Sequence, residues 1–259
     1  MPRHCYVLRV FTRDGSGGNH LGVVTDILGL DDSKMQHIAS DLGFSETVFL
    51  SWFDGVMPKA RIFTPAIELP FAGHPLVGAA WLLINLGPID PGAIECATGP
   101  VRIRQFEGLT WIDASGNQPV RAASASPPPR WDALDVAEVL MPVPYTLVEV
   151  RTPADVEALK PSMAAGLGDV YVWAWEREGE SVRSRFFAPD FGIPEDPATG
   201  SAAVALASRL RHLGRGDGAL VIHQGEETGH PSRINLVWDG NGTSIGGTVA
   251  HDEVRFLPT

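Results

Sequence analysis

Cysteine is scarce in this chain, with only Cys5 and Cys96 in 259 residues. That excludes a disulfide-stapled scaffold. Each cysteine falls in a strand-like stretch (5–8 and 94–97), where a reduced thiol behaves as a small buried hydrophobe. Long apolar runs are missing too. The most apolar stretch, 76–86, is too short to span a bilayer and contains Gly78 and Asn85. Arg3 and Arg9 bracket a run too short for a signal-peptide core. These absences lead to the expectation of a soluble, cytoplasmic protein without a membrane partner. Positive charge is also in deficit. Lys and Arg number 20 against 31 Asp and Glu, for a net charge of −11 and a pI near 5.1. Nucleic acid and anionic membrane are poor partners for such a surface. An anionic ligand would need a local positive site, which need not come from Lys or Arg.

What the chain does have is a repeat. Arg61-Ile62-Phe63-Thr64-Pro65 leads to Glu68-Leu69-Pro70-Phe71-Ala72-Gly73-His74 and then to an apolar run. Arg185-Phe186-Phe187-Ala188-Pro189 leads to Glu195-Asp196-Pro197-Ala198-Thr199-Gly200-Ser201 and another apolar, alanine-rich run. Arg and Glu are 7 residues apart in the first copy and 10 in the second, while the step from Glu to Gly is the same. The similarity extends upstream. Helical patterns at 33–42 and 154–165, the second interrupted by Pro161, end near Leu42-Gly43 and Leu167-Gly168 and precede strand patterns at 47–52 and 170–175. Gly43 lies 18 residues before Arg61, and Gly168 lies 17 before Arg185. A repeat this long means two homologous domains. The Pro-rich stretch 124–130 is the expected boundary, giving halves 1–123 and 124–259, with the C-terminal strand able to return to the first half.

Strand patterns outnumber helical ones. Short runs rich in Val, Ile and aromatics recur at 6–11, 22–27, 61–63, 101–106, 110–113, 145–150, 182–187, 220–223, 234–238 and 254–257. The helices expected after the motifs, 75–86 and 201–213, are apolar over most faces, so they are buried on most faces. The expected fold class is α+β, with two pseudo-symmetric halves. Each is a curled, mostly antiparallel sheet or barrel around a central buried helix.

A helix start offers free N–H groups and the positive end of the dipole, a ready site for carboxylate or phosphate. Gly73 and Gly200 allow a ligand close to the backbone. Pro75 suits the first helical position and Ser201 a cap or first-turn position. Two Gly-marked starts related by a pseudo-two-fold would point at one anion. The copies differ at His74 against Ser201 and at Leu69 against Asp196. His, Asp and Ser beside helix termini can move protons and donate hydrogen bonds near neutral pH. Glu46, at the mouth of a strand beside Phe44, is a further carboxylate whose pKa burial would raise. Taken singly, each has a plainer explanation as a cap, a turn residue or a solvated loop carboxylate.

Together these residues carry a family likeness. Ser45-Glu46-Thr47, the Arg-x-Phe-x-Pro stretch, Glu68 to Pro75, Glu195 to Ala203, and Gln224-Gly225 followed by Gly229-His230-Pro231-Ser232 resemble the PhzF family of phenazine biosynthesis. The resemblance implies the diaminopimelate-epimerase fold, cofactor- and metal-free chemistry, a homodimer and a site between two halves. It implies that Glu46 is the general acid/base and that His74, Asp196 and Ser201 assist proton transfer. It also implies that Gly73, Gly200, Asn19, Gln224 and Gly225 bind a small carboxylate substrate. Gly18-Asn19-His20 departs from the family's usual Gly-Asn-Pro, and Gly229-His230-Pro231-Ser232 from its usual Gly-Arg-Pro-Ser. The expected activity is a PhzF-like isomerisation by proton transfer. A small-anion-binding protein without catalysis is the alternative. A Ser201 hydrolase is weaker, because Gly200-Ser201 lacks the Gly-x-Ser-x-Gly elbow. A two-thiol racemase is disfavoured, because neither cysteine lies in the repeat.

Overall fold

A computed structural model describes residues 3–51, 57–86, 92–114, 118–123, 131–164, 166–189 and 193–257. The stretch 124–130, together with Trp52 and Ala165 of the expected elements, lies outside the described residues. The chain divides into two compact units, Met1–Asp113 with Gly246–Thr259, and Ala114–Ile245. No helix among the described residues is long and apolar enough to cross a membrane.

The first unit runs β1 (Arg3–Thr12), β2 (Asn19–Val24), α1 (Asp32–Leu42), β3 (Glu46–Ser51), β4 (Lys59–Phe63), β5 (Glu68–Leu69), α2 (Gly73–Leu86), β6 (Ala93–Cys96), β7 (Gly99–Phe106) and β8 (Leu109–Ala114). The second runs β9 (Val120–Ala122), β10 (Asp135–Val139), β11 (Tyr145–Glu149), α3 (Pro153–Ala158), β12 (Val170–Arg177), β13 (Ser181–Ala188), β14 (Ile193–Asp196), α4 (Gly200–His212), β15 (Gly218–Gln224) and β16 (Ser232–Asp239). A long last strand, β17 (Gly242–Leu257), gives its C-terminal part to the first unit, where it pairs antiparallel with β1. β9 pairs antiparallel with β10 in the second unit.

The pairing repeats step for step. β2 and β3 are parallel, as are β11 and β12. Parallel neighbours need a crossover, and α1 and α3 provide it. β4 then pairs antiparallel with β3 and β5, as β13 does with β12 and β14. β4 also runs parallel to β6, as β13 does to β15. The outer helix α3 packs on β12 and β13, and both faces of these middle strands are buried. Val170–Ala174 accordingly reads as a continuous apolar run, and in Ser181–Ala188 burial runs on without alternation from Val182, even through Arg183, Ser184 and Arg185.

The central helices sit inside the curl. α2 packs against β1, β2, β3, β4 and β7, and ten of its fourteen residues are buried. α4 packs against β9, β10, β11 and β16, with ten of thirteen buried. Small residues make this enclosure possible. A Cβ added to Gly78 would lie 2.3 Å from Leu21 and 3.0 Å from Val10, so the α2 backbone approaches β1 and β2 as closely as a glycine permits. The outer helices close smaller clusters. Met35 and Ala39 of α1 pack with Cys5, Val24, Phe49 and Phe63, and Val156 of α3 packs with Val148, Val172 and Phe187.

Several elements differ from the sequence expectation. α2 begins at Gly73, so Pro75 is its third residue, still within the first turn where its missing N–H costs nothing. The helix expected at 154–165 is broken at its proline. α3 ends at Ala158 and a separate 3-10 turn spans Pro161–Ala164, because Pro161 cannot donate to a carbonyl four residues back. The strand expected at 254–257 is the tail of the 16-residue β17. Strands β5, β9, β10 and β14 lie beyond the expected set; all are short.

Candidate active site

The repeated Arg and Glu form ion pairs, not a binding site. The turn after β4 folds Glu68 back beside Phe63. Arg61 then grips Glu68 with two hydrogen bonds of 2.7 and 2.6 Å and reaches Asp32 of α1 at 2.7 Å. Arg185 grips Glu195 in the same bidentate manner, at 2.8 and 2.6 Å. Its other nitrogen donates to the carbonyls of Glu157 and Leu159 at the end of α3. Each guanidinium also lies over the phenylalanine two residues on, Phe63 at 5.2 Å and Phe187 at 4.9 Å. These pairs fix the turns that deliver the chain to the two central helices.

In the first unit, Asn19, Ser45, Glu46 and His74 come together. Asn19 opens β2 and is 1% exposed. Ser45 Oγ donates to Asn19 Oδ1 at 2.9 Å, and Asn19 Nδ2 lies 3.3 Å from His74 Nδ1. Glu46, the first residue of β3 opposite Leu21, brings Oε2 to 3.4 Å from the same His74 nitrogen. The Glu46 side chain is 13% exposed and His74 2%. Burial drives the His74 pKa down to about 3, and a hydrogen bond with the His20 backbone opposes this only in part. The imidazole is therefore neutral at pH 7. Its contact with Glu46 is a close approach to a neutral ring rather than an ion pair. His20, where the family pattern has proline, stacks on Phe44 at 6.1 Å, and Arg255 lies over the same ring at 5.4 Å.

In the second unit, Asp196 ends β14 and Thr199 precedes α4. Thr199 Oγ1 donates to Asp196 Oδ2 at 2.6 Å. Gln224 is wholly buried beneath this turn. Its Nε2 donates to the Asp196 carbonyl at 2.7 Å and to Thr199 Oγ1 at 3.0 Å, while its Oε1 accepts from the Thr199 N–H at 3.3 Å. Gln224 thus holds the turn from behind. Gly225 completes the bracket at φ +88, where an added Cβ would fall 2.4 Å from the His230 carbonyl oxygen and 2.5 Å from that of Pro197. Ser201, second in α4 and 7% exposed, meets the Tyr145 hydroxyl at 2.5 Å. The expected site residues thus gather as Asn19, Glu46 and His74 beside Gly73 in one unit. In the other they form the Asp196, Gln224 and Gly225 turn, followed by Gly200 and Ser201.

The helix starts sort into two kinds. α1 is capped by Asp31, which accepts from the Lys34 N–H, and α3 by a full capping box of Thr152 and Asp155. The central helices have no such cap. Ala72, before Gly73, has no polar side chain, and Thr199 makes no cap hydrogen bond because its hydroxyl is turned to Asp196. The first-turn N–H groups after Gly73 and Gly200 are thus not covered by a capping side chain, as an anion site requires.

Reading the sequence did not single out Ser45, Thr199 or Tyr145 for these contacts. Only the Asx/Ser/Thr character of the first two was a signal. Cys5 and Cys96 are both free, both buried and both in the first unit, and burial pushes the Cys5 thiol up to about 11. A thiol held protonated in this way is a poor base.

Residues 8–248 match the family model described as phenazine biosynthesis-like protein, PhzC-PhzF. The chain is 34% identical to an uncharacterized isomerase of Mesorhizobium japonicum, with 90% of each covered. It is 32% identical to a trans-2,3-dihydro-3-hydroxyanthranilate isomerase of Pseudomonas aeruginosa, with 93% of each covered. Among solved structures, a PhzF-family phenazine biosynthesis protein of Bacillus anthracis superposes with a TM-score of 0.84 at 22% identity, over 100% of both chains. That likeness confirms the two-half, helix-in-curled-sheet fold. The chain accordingly belongs to the phenazine biosynthesis-like PhzC-PhzF family and is an isomerase.

Proposed function

We propose that the chain isomerises a small cyclic carboxylate of the dihydro-hydroxyanthranilate class by moving one proton, with no bound cofactor. One observation carries this reading: Glu46, partly open to solvent, lies 3.4 Å from an imidazole that burial keeps neutral. Glu46 takes a proton from a substrate carbon as general base. The electron pair moves into the adjacent unsaturated system, and the carboxyl returns the proton at another carbon. Atoms and charge balance over the cycle, so a base, an acid and an anion site suffice. The uncapped starts of α2 and α4 hold the substrate carboxylate, and Asp196 and Ser201 contact its remaining polar groups.

The test is turnover of trans-2,3-dihydro-3-hydroxyanthranilate in D₂O. The product should carry deuterium from solvent, and Glu46→Gln should abolish both turnover and labelling. Wild-type labelling in the Gln variant would remove Glu46 from the mechanism. A compound that binds and is recovered unlabelled would exclude this substrate.

A further inference from the structure

Tyr145 opens β11, is 5% exposed and has its hydroxyl 2.5 Å from Ser201 Oγ. Its ring packs on Phe186 at 5.5 Å, and Phe186 pairs in register with Asp196. The phenol is thus held by the strand that also places Asp196. Two hydroxyls in contact use one of their two hydrogens between them. A phenol is the more acidic donor, and its ring-conjugated oxygen the weaker acceptor. The Tyr145 O–H therefore donates to Ser201 Oγ, leaving the Ser201 hydrogen to donate elsewhere. Donation into an oxygen polarises it, and the second hydrogen bond in the chain strengthens. In the first unit the corresponding helix residue, His74, is met by an amide from Asn19 at the start of β2.

We infer that Tyr145 is a positioning residue, which turns and polarises the Ser201 hydroxyl so that its hydrogen points to a substrate oxygen at the start of α4. The inference rests on the proposed contact of Ser201 with substrate.

A double-mutant cycle of Tyr145→Phe and Ser201→Ala tests it. The readouts are kcat and KM for trans-2,3-dihydro-3-hydroxyanthranilate, and Kd for anthranilate, a stable carboxylate of the same ring size. Thermal unfolding monitors packing, since Phe keeps the ring against Phe186. Tyr145→Phe should lower kcat/KM and anthranilate affinity by about tenfold, the size of one hydrogen bond lost from a buried network. Ser201→Ala should cost at least as much. In the Ser201→Ala background, Tyr145→Phe should add less than about twofold, because the hydroxyl it positions is already gone. An equal cost in both backgrounds would mean that Tyr145 acts through packing, and the inference falls. A costly Ser201→Ala with a silent Tyr145→Phe overturns the inference and leaves the site intact. A silent Ser201→Ala, in turnover and in binding, sinks the placement of Ser201 in the site and the inference with it. If this substrate is not turned over, the anthranilate cycle decides by the same criteria.

Discussion

The pairs Arg61–Glu68 and Arg185–Glu195 have the same chemistry at different depths. The first pair is about a third exposed, at 34% and 40%. The second is sealed, at 3% and 8%. Each ties a strand to the following turn and to an outer helix. The repeat therefore shares its scaffold, and the units diverge at the residues this scaffold presents. The first unit presents groups that titrate, Glu46 and His74. The second presents hydroxyls and a carboxylate held by the Thr199 hydroxyl. The second unit also spends more buried polar structure on holding its turn, with Gln224, Gly225 and the Arg185 pair all converging there.

The sharpest way to break this comparison is at the acid/base. Glu46 and Asp169 occupy matching places, each just before the strand residue that pairs with the motif phenylalanine, Thr47 with Phe63 and Val170 with Phe187. Glu46→Gln should lower kcat by about 10³-fold or more, as loss of a general base does. Asp169→Asn should change kcat by only about twofold. Comparable losses in the two variants would end the assignment of proton transfer to the first unit.

Removing the two arginines should separate the scaffolds by stability. Arg185→Ala strands Glu195 in a buried place and should cost about 3–5 kcal/mol. Arg61→Ala leaves Glu68 near water and should cost under about 1 kcal/mol. Denaturant midpoints read both, and similar shifts would contradict the difference in depth.

Glycine substitutions in one loop come next. Gly225→Ala forces a Cβ onto two backbone oxygens and should cost about 2 kcal/mol or more, with loss of activity as the Asp196 turn moves. Gly229→Ala also has a positive φ, +78, but meets nothing within 4 Å. It should cost about 1 kcal/mol and leave activity near wild type.

At neutral pH the smallest effect is that of a pH slope, which opens only on acidification. His74 has an ordinary pKa of 6.5 when unfolded and about 3 when folded. Between these values the unfolded chain holds the proton and the folded one does not. Stability from this group is complete above pH 6.5 and is lost as pH falls toward 3, at up to about 1.4 kcal/mol per pH unit. His74→Gln should flatten that part of the stability profile. Ser201, at the matching place in α4, cannot titrate here, so Ser201→Ala should leave the slope unchanged.

Much of this was legible in the chain. The duplicated motif, its Gly-marked helix starts and the all-round apolar runs after them announced two similar halves with enclosed helices. Glu46 and His74 were legible as candidates because their residue types suit proton transfer. The bracket behind Asp196 was not. Gln224 follows Asp196 by 28 residues, and only parallel pairing of β13 with β15 brings their strands into one sheet. Tyr145 was legible as a strand residue but not as the partner of Ser201, 56 residues on. The break at Pro161 was visible, because proline has no N–H to give a carbonyl four residues back, but not that the helix already ends at Ala158.

By itself the sequence determined the repeat, the apolar periodicity and the residue types at the two helix starts. These are local properties, set by spacing and by side-chain chemistry. Only the tertiary structure decided that the motif's Arg and Glu pair with each other rather than with a ligand. The same folding turned the Thr199 hydroxyl away from its own helix and made His74 neutral. Each of those outcomes depends on burial and on partners distant in the chain, and neither quantity exists until the sheets have closed around their helices.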